Sequence, residues 1–322
     1  MKKLIDLITR RSALLAIAST ITATMAMPAL AQSASELRIG YQKGASLLVL
    51  QKAQGSLEKK LAPLGVGVKW VEFPAGPQLL EGLNVGSVDI GFVGEAPPIF
   101  AQAAGAKFYY IGNDPAAPKA EAIVVPKDSA IRSVAELKGK KIALNKGSNV
   151  HYLLVKLLEK NGLKLADITP VYLPPADARA AFESKAVDAW VIWDPYTAAA
   201  EKQIGARVLA DATGVASNHQ FYLGERGYVE RNPKVIRAVF EDSVEKGEWL
   251  KSHVHEAAAL IAPLQGLPAD VVEVALHRYE FKVQSPTPAV VAEQQKIADT
   301  FADLKLIPKP VSVREATWQG AQ

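Results

Sequence analysis

The chain carries one strand–loop–helix signature twice. Ile39-Gly40-Tyr41-Gln42-Lys43-Gly44 returns 103 positions later as Ile142-Ala143-Leu144-Asn145-Lys146-Gly147. A second echo, at an offset of 99, pairs Val88-Asp89 and Glu95 with Val187-Asp188 and Asp194. In each copy a helical pattern leads to Val-Asp, then to an apolar strand, then to a carboxylate at the strand's C-terminal end. Pro97 follows in the first copy and Pro195 in the second. One reading is that any two α/β units look alike. The other is that two similar α/β lobes share the chain. In that case equivalent loops sit at the C-terminal ends of the strands, where open sheets bind ligands. Two such edges facing each other make a cleft.

The flanking pattern has the alternation of an α/β chain. Strand-like runs are expected at residues 37–40, 66–73, 88–93, 121–125, 141–144, 171–173 and 189–192. Helical runs are expected at 47–61, 78–85, 134–137, 150–160 and 176–183. From Pro233 onward the pattern is helical, with loops near 263–268 and 284–288.

Residues 1–31 read as a leader. Lys2, Lys3, Arg10 and Arg11 form a basic start, Ser12 to Met27 is mostly small and apolar, and Ala29-Leu30-Ala31 fits a cleavage site. The arginine pair also resembles a twin-arginine signal, so both the general secretory and the twin-arginine export routes stay open. Without those residues the net charge falls from +4 to +1. The remaining charge gives no reason to expect nucleic acid or a membrane surface as partner. The absence of cysteine excludes a lipid-modified cysteine anchor, thiol catalysis and thiolate metal sites. A soluble protein exported to a periplasm is expected.

Gly147-Ser148-Asn149 opens a helix. Ser and Asn are favoured N-caps, so an ordinary cap is one reading. A helix start with free N–H groups and a positive dipole end also suits an anion. Gln42-Lys43-Gly44-Ala45-Ser46 has the same form, so two helix starts across a cleft would hold one oxyanion from both sides. Glu95 and Asp194 follow buried strands and read as loop carboxylates, helix caps or ligand contacts. Trp193 reads as core or as the floor of a pocket. The five histidines form no metal-binding spacing, and no nucleophile elbow, P-loop or dinucleotide fingerprint occurs. No cofactor and no metal are expected. A hydrolase using Glu95 and Asp194 is the enzymatic alternative.

Five stretches carry a family resemblance: FPAGPQLLEGLNVGSVDIGFVGEAPPIFAQAAGA (73–106), LKGKKIALNKGSNVHYLL (137–154), LPPADARAAFESKAVDAWVIWDPY (173–196), NHQFYL (218–223) and VVAEQQKIADTFADLKLIPKP (290–310). They resemble the periplasmic aliphatic sulfonate-binding proteins of ABC importers, in a wider group that includes taurine- and nitrate-type binders. The resemblance implies a type II solute-binding fold with two α/β lobes, two crossover strands near 120–125 and 218–223, and a ligand cleft between the lobes. It implies lobe one at 32–120 and 221–322 and lobe two at 121–220. The implied ligand-binding set is Gln42, Ser46, Gly94, Glu95, Ser148, Asn149, Trp193 and Asp194. The implied partners are a small organosulfonate and an inner-membrane permease, with the binding protein a monomer. The sequence departs from the family at Gly44-Ala45-Ser46, where members carry an aromatic residue and a threonine. Val93 and Ala96 also replace hydroxyl residues beside Glu95. These changes leave open taurine, nitrate, an aryl sulfonate or a pyrimidine precursor as the ligand.

Overall fold

The computed structural model describes residues 35–320; the leader expected at 1–31 lies outside the described residues. The first part of the chain runs β1 (Ser35–Tyr41), α1 (Ser46–Gln54), α2 (Ser56–Leu61), β2 (Val66–Glu72), α3 (Gly76–Asn84), β3 (Ile90–Gly94), α4 (Ala96–Ala103) and β4 (Phe108–Asp114). It then enters β5 (Glu121–Val125), β6 (Lys141–Leu144), α5 (Asn149–Lys160), β7 (Thr169–Tyr172), α6 (Pro175–Glu183), β8 (Ala189–Trp193), α7 (Tyr196–Ile204) and β9 (Arg207–Asp211). It returns through β10 (Gln220–Glu225) and closes with α8 (Arg226–Arg231), α9 (Pro233–Ser252), α10 (Val254–Gln265), α11 (Ala269–Leu276) and α12 (Pro288–Asp303).

These strands form two five-stranded sheets, ordered β2-β1-β3-β10-β4 and β7-β6-β8-β5-β9. The two orders are the same pattern. In the first sheet β1 and β3 are parallel, and β10 is inserted antiparallel between β3 and β4. In the second, β6 is parallel to β7 and β8, and β5 is inserted antiparallel between β8 and β9. Each inserted strand follows directly on a crossing of the chain from the other sheet. The crossings pair with each other: Ala117 N–H donates to the Ser217 carbonyl at 3.0 Å and Ala212 N–H to the Pro118 carbonyl at 3.0 Å.

The echo in the sequence is therefore an echo in the structure. Asp89 accepts a hydrogen bond from Arg38 N–H at 2.8 Å and returns one through its own N–H to the Arg38 carbonyl at 2.8 Å. Asp188 makes the same pair of bonds with Lys141, again at 2.8 Å each. The Val-Asp step stitches the start of β3 to β1 in one lobe and the start of β8 to β6 in the other. The central strands β3, β5 and β8 are buried along their whole length. Covered on both faces, they read as continuous apolar runs rather than alternating ones.

Several expected elements differ. The helix expected over 47–61 is broken at Gly55, whose φ of 58° places it in the left-handed region. Its N–H closes α1 onto the Gln51 and Lys52 carbonyls, the usual glycine stop. Beside the break, buried Asp242 accepts from Gln51 Nε2 at 2.8 Å and Ser56 Oγ at 2.7 Å, which ties α9 to both helices. The loop expected at 263–268 starts later, because α10 continues through Pro263 and stops at Gly266 with φ 66°. The strands Phe108–Asp114 and Arg207–Asp211 have no counterpart in the sequence reading. The latter is half-buried at every position and so shows no alternation.

Candidate functional site

The C-terminal ends of β1 and β3 from one sheet face the start of α5 and the end of β8 from the other. A small cavity of ≈ 20 Å³ lies between them, room for about one water. Gln42, Gly44 and Gly94 line it from the first lobe, and Asn149 and Trp193 from the second. Gln220 at the start of β10 and Tyr279, beyond α11, complete it with Phe92 and Ala45. The cleft is closed. A Cβ added to Gly44 would lie 2.9 Å from the Asp194 carbonyl oxygen, and one added to Gly94 would lie 2.9 Å from Asn149 Oδ1. Glycine at both positions lets the lobes approach this closely.

The residues singled out in the sequence fall into two groups. Gln42, Gly94, Asn149 and Trp193 line the cavity. Ser46, Glu95, Ser148 and Asp194 do not, and each is engaged elsewhere. Ser148 occupies the N-cap position of α5, but its hydroxyl donates to the Asn145 carbonyl at 2.7 Å and not to the helix. Ser46 is buried, and its Oγ lies 3.4 Å from Gln265 Nε2. Neither α1 nor α5 has a side-chain N-cap, so capping does not account for the serine and asparagine at these helix starts. The turn before α5 is held by Gly147, with φ 75°, whose N–H donates to His151 Nδ1 at 3.3 Å. Burial, with Lys146 adding to it, pushes His151 down to about 4, so the ring is a neutral acceptor.

Asp194 is fully buried and meets Arg278, whose Nη1 lies 3.2 Å from both carboxylate oxygens. It also accepts from Ala198 N–H at 2.9 Å. Burial raises its carboxyl to about 6, against the lowering effect of Arg278. Glu95 Oε2 accepts from His219 N–H at 3.0 Å, and the Glu95 carbonyl accepts from Gln294 Nε2 at 2.5 Å. Burial pushes Glu95 up to about 8, and Glu293 adds to the rise. Glu95 is thus bonded to the returning crossing at His219 and to Gln294, and Asp194 to Arg278.

Sequence reasoning missed Glu121, Asn218, Gln220, Arg278 and Tyr279. Glu121, fully buried at the start of β5, accepts from Asn149 Nδ2; burial and then Glu95 raise its carboxyl well above the ordinary range. Asn218 sits on the returning crossing with φ 51° and donates to the Ala117 carbonyl at 2.9 Å. Its own Oδ1 accepts from Asn149 Nδ2 at 3.2 Å and from Gln220 Nε2 at 2.9 Å. An acidic residue opening the apolar run Glu121–Val125 was the one visible signal among them.

Residues 31–264 match the NMT1-like family. The aliphatic sulfonates-binding protein of Escherichia coli strain K12 is 47% identical over 96% of each chain. This chain belongs to that family. Among solved structures, the alkanesulfonate-binding protein SsuA from Xanthomonas axonopodis pv. citri, bound to MOPS, matches with a TM-score of 0.85 at 46% identity, over 88% of this chain and 98% of that one. The periplasmic aliphatic sulphonate binding protein SsuA from Escherichia coli matches with a TM-score of 0.81 at 47% identity, over 89% and 98%. As expected for this family, the fold is two α/β lobes joined by two crossings.

Chemically, the cavity of this family member holds neutral groups: amides, backbone and aromatic rings. Of the carboxylates around it, Asp194 is paired with Arg278, while Glu121 and Glu95 each accept through one oxygen, from Asn149 Nδ2 and His219 N–H. Among the described residues no cluster of three or more His, Asp or Glu is arranged to hold a metal ion. Dipoles at the starts of α1 and α5 are what the site offers to a charge, and they favour an anion.

Proposed function

We propose that this chain is the periplasmic binding component of an ABC importer and that it takes up aliphatic sulfonates in the interlobe cavity. The observation that carries this reading is the pair of helix starts, α1 after Gln42–Ala45 and α5 at Asn149, converging on one cavity that holds no free carboxylate. A sulfonate stays anionic at every biological pH. Preorganised N–H dipoles bind it without requiring a cation in the site. Gln42, Gly94 and Asn149, which line the cavity, are assigned to the anion end, while Ser46 and Ser148, bonded to Gly44 and Asn145, hold the two helix starts in place behind them. Trp193 packs on the organic part. Glu95 and Asp194 support the hinge and the closed form instead of touching the anion.

Lobe one comprises 32–120 and 221–322, and lobe two 121–220. Opening about the paired crossings admits the ligand, and closure onto it leaves a wider space than the one-water cavity of this closed form. The closed monomer is then presented to the permease by its lobe surfaces. Export removes the leader at 1–31. The names of the relatives support this assignment, and MOPS, bound to one of them, is itself an organosulfonate. A binding role without turnover follows from the same names.

Trp193 borders the cavity and reports on its occupation. Titrations with butanesulfonate, taurine, benzenesulfonate, sulfate and nitrate, followed by tryptophan emission, test the reading. Saturable binding of alkanesulfonates in preference to sulfate and nitrate is expected. Tighter binding of nitrate or sulfate than of any organosulfonate would overturn it.

A further inference from the structure

The orientation of the cavity amides is fixed by a chain of hydrogen bonds that begins outside the cavity. The Ala117 carbonyl can only accept, so Asn218 turns its Nδ2 toward it, at 2.9 Å. Asn218 Oδ1 therefore faces Asn149 and Gln220, and both must donate to it. The second N–H of Asn149 goes to Glu121 Oε2. A primary amide has two N–H groups, and Asn149 has used both.

What Asn149 turns toward the cavity is its oxygen. Oδ1 is the atom nearest to the Cβ position of Gly94, and both residues line the cavity. Gln42 repeats the arrangement in part, since its Nε2 donates to the Phe92 carbonyl at 3.1 Å. Gln42 and Gln220 each keep one N–H for a ligand, whereas Asn149 keeps none. The Asn149 side chain is thus an acceptor held in place by residues of both crossings. Among the described residues no donor meets Oδ1, which leaves it free to accept from a ligand.

We infer that Asn149 is a specificity-determining residue, and that its Oδ1 selects sulfonates whose organic part carries an N–H or O–H donor over plain alkanesulfonates. Glu121 and Asn218 are the positioning residues that set this polarity. The inference rests on the sulfonate-binding reading and narrows it. It also divides the anion clamp: at residue 149 only the backbone N–H is available to the sulfonate, while the side chain reads the tail. A sulfonate oxygen placed against Oδ1 would meet a lone pair.

The test uses two ligands of nearly equal shape, 2-hydroxyethanesulfonate and propane-1-sulfonate, with calorimetry on the mature protein and on Asn149→Leu. Leucine keeps the shape of asparagine and removes the acceptor. The affinity ratio of the hydroxylated to the plain ligand is expected to fall about threefold to tenfold in the variant, the size of one hydrogen bond. The ratio is the readout, because loss of the Glu121 and Asn218 contacts also changes the affinity for the plain sulfonate. An unchanged ratio would overturn the inference, and so would an equal weakening of both ligands, which means that the side chain donates to the anion. If wild type binds neither ligand, the sulfonate reading itself falls, and the inference with it. Should Asn149→Leu fail to fold, Asn218→Ala takes its place. That change releases one Asn149 N–H, and the same ratio should fall.

Discussion

Arg278 Nη1 lies 3.2 Å from each carboxylate oxygen of Asp194, and Arg278 Nη2 lies 2.5 Å from Glu201. Arg278 follows α11, a helix on the returning part of the chain, whereas Asp194 and Glu201 belong to the lobe built on the second sheet. Beside this ion pair, Val271 and Ala275 of α11 pack on Ala198 and Ala199 of α7. The pair therefore ties the C-terminal helices to segments of the second sheet. Asp194 is completely buried, and Arg278 is one-fifth exposed. Removing the arginine strands a buried carboxylate. Arg278→Leu is expected to lower stability by about 3 kcal/mol. For a chain of this size that is a fall of roughly 2–4 °C per kcal/mol in thermal melting. Adding Asp194→Asn should restore part of the loss, and a double variant no better than Arg278→Leu would show that the pair does not tie these segments.

Gly44 faces the same aspartate from the other side of the cleft. An alanine Cβ there would sit 2.9 Å from the Asp194 carbonyl and 3.2 Å from Trp193 Cδ1. Backbone cannot yield as a side-chain tip can, so the lobes must part by several tenths of an ångström. Gly44→Ala should weaken ligand binding about tenfold, through loss of closed-state contacts worth about 1.4 kcal/mol. Its ligand-free melting temperature should stay near that of wild type. Calorimetry and a melt on the same sample check both halves.

Buried carboxyls make the protein less stable as the solution becomes alkaline. Burial raises Glu95 to about 8 and Asp114 to about 7, and Glu121 well above the ordinary range. A carboxyl raised on folding stabilises the native state below its unfolded value, and that contribution is lost as pH climbs through the folded value. His151 acts in the opposite sense: lowered to about 4, it favours the native state above about 6.5 and ceases to do so as pH falls toward 4. Above about pH 6.5 the contribution of His151 is complete, and the raised carboxyls work against stability. Stability should therefore fall between pH 6.5 and 8, by up to about 1.4 kcal/mol per pH unit for each excess proton, and the melting temperature with it. Glu95→Gln removes one of these groups and should flatten the slope. A melting curve that rises over that range would contradict this assignment.

The parts of this account that were legible in the sequence are those that repeat. Val88-Asp89 and Val187-Asp188 could be paired by offset alone, and they prove to make the same two hydrogen bonds to Arg38 and Lys141. Gln42 and Asn149 were legible because each stands at the start of a helix following a strand. The residues that fix their polarity were not. Asn218 and Glu121 act across the crossings, with Asn149 bonded to partners 28 and 69 positions away. Arg278 reaches Asp194 over 84 positions. No local periodicity encodes such pairs, because they arise only when the second crossing brings the chain back. The serines failed as caps for a related reason: Ser148 has a closer acceptor in Asn145, which no spacing rule reveals.

The central claim is that an organosulfonate occupies the cavity between the two helix starts. A crystal structure of the mature protein grown with millimolar butanesulfonate or 2-hydroxyethanesulfonate tests it most directly. The sulfonate group is expected among Gln42, Gly44, Gly94 and the start of α5, with the organic part against Trp193. A sulfonate bound elsewhere, or an empty cavity at saturating ligand, would contradict it.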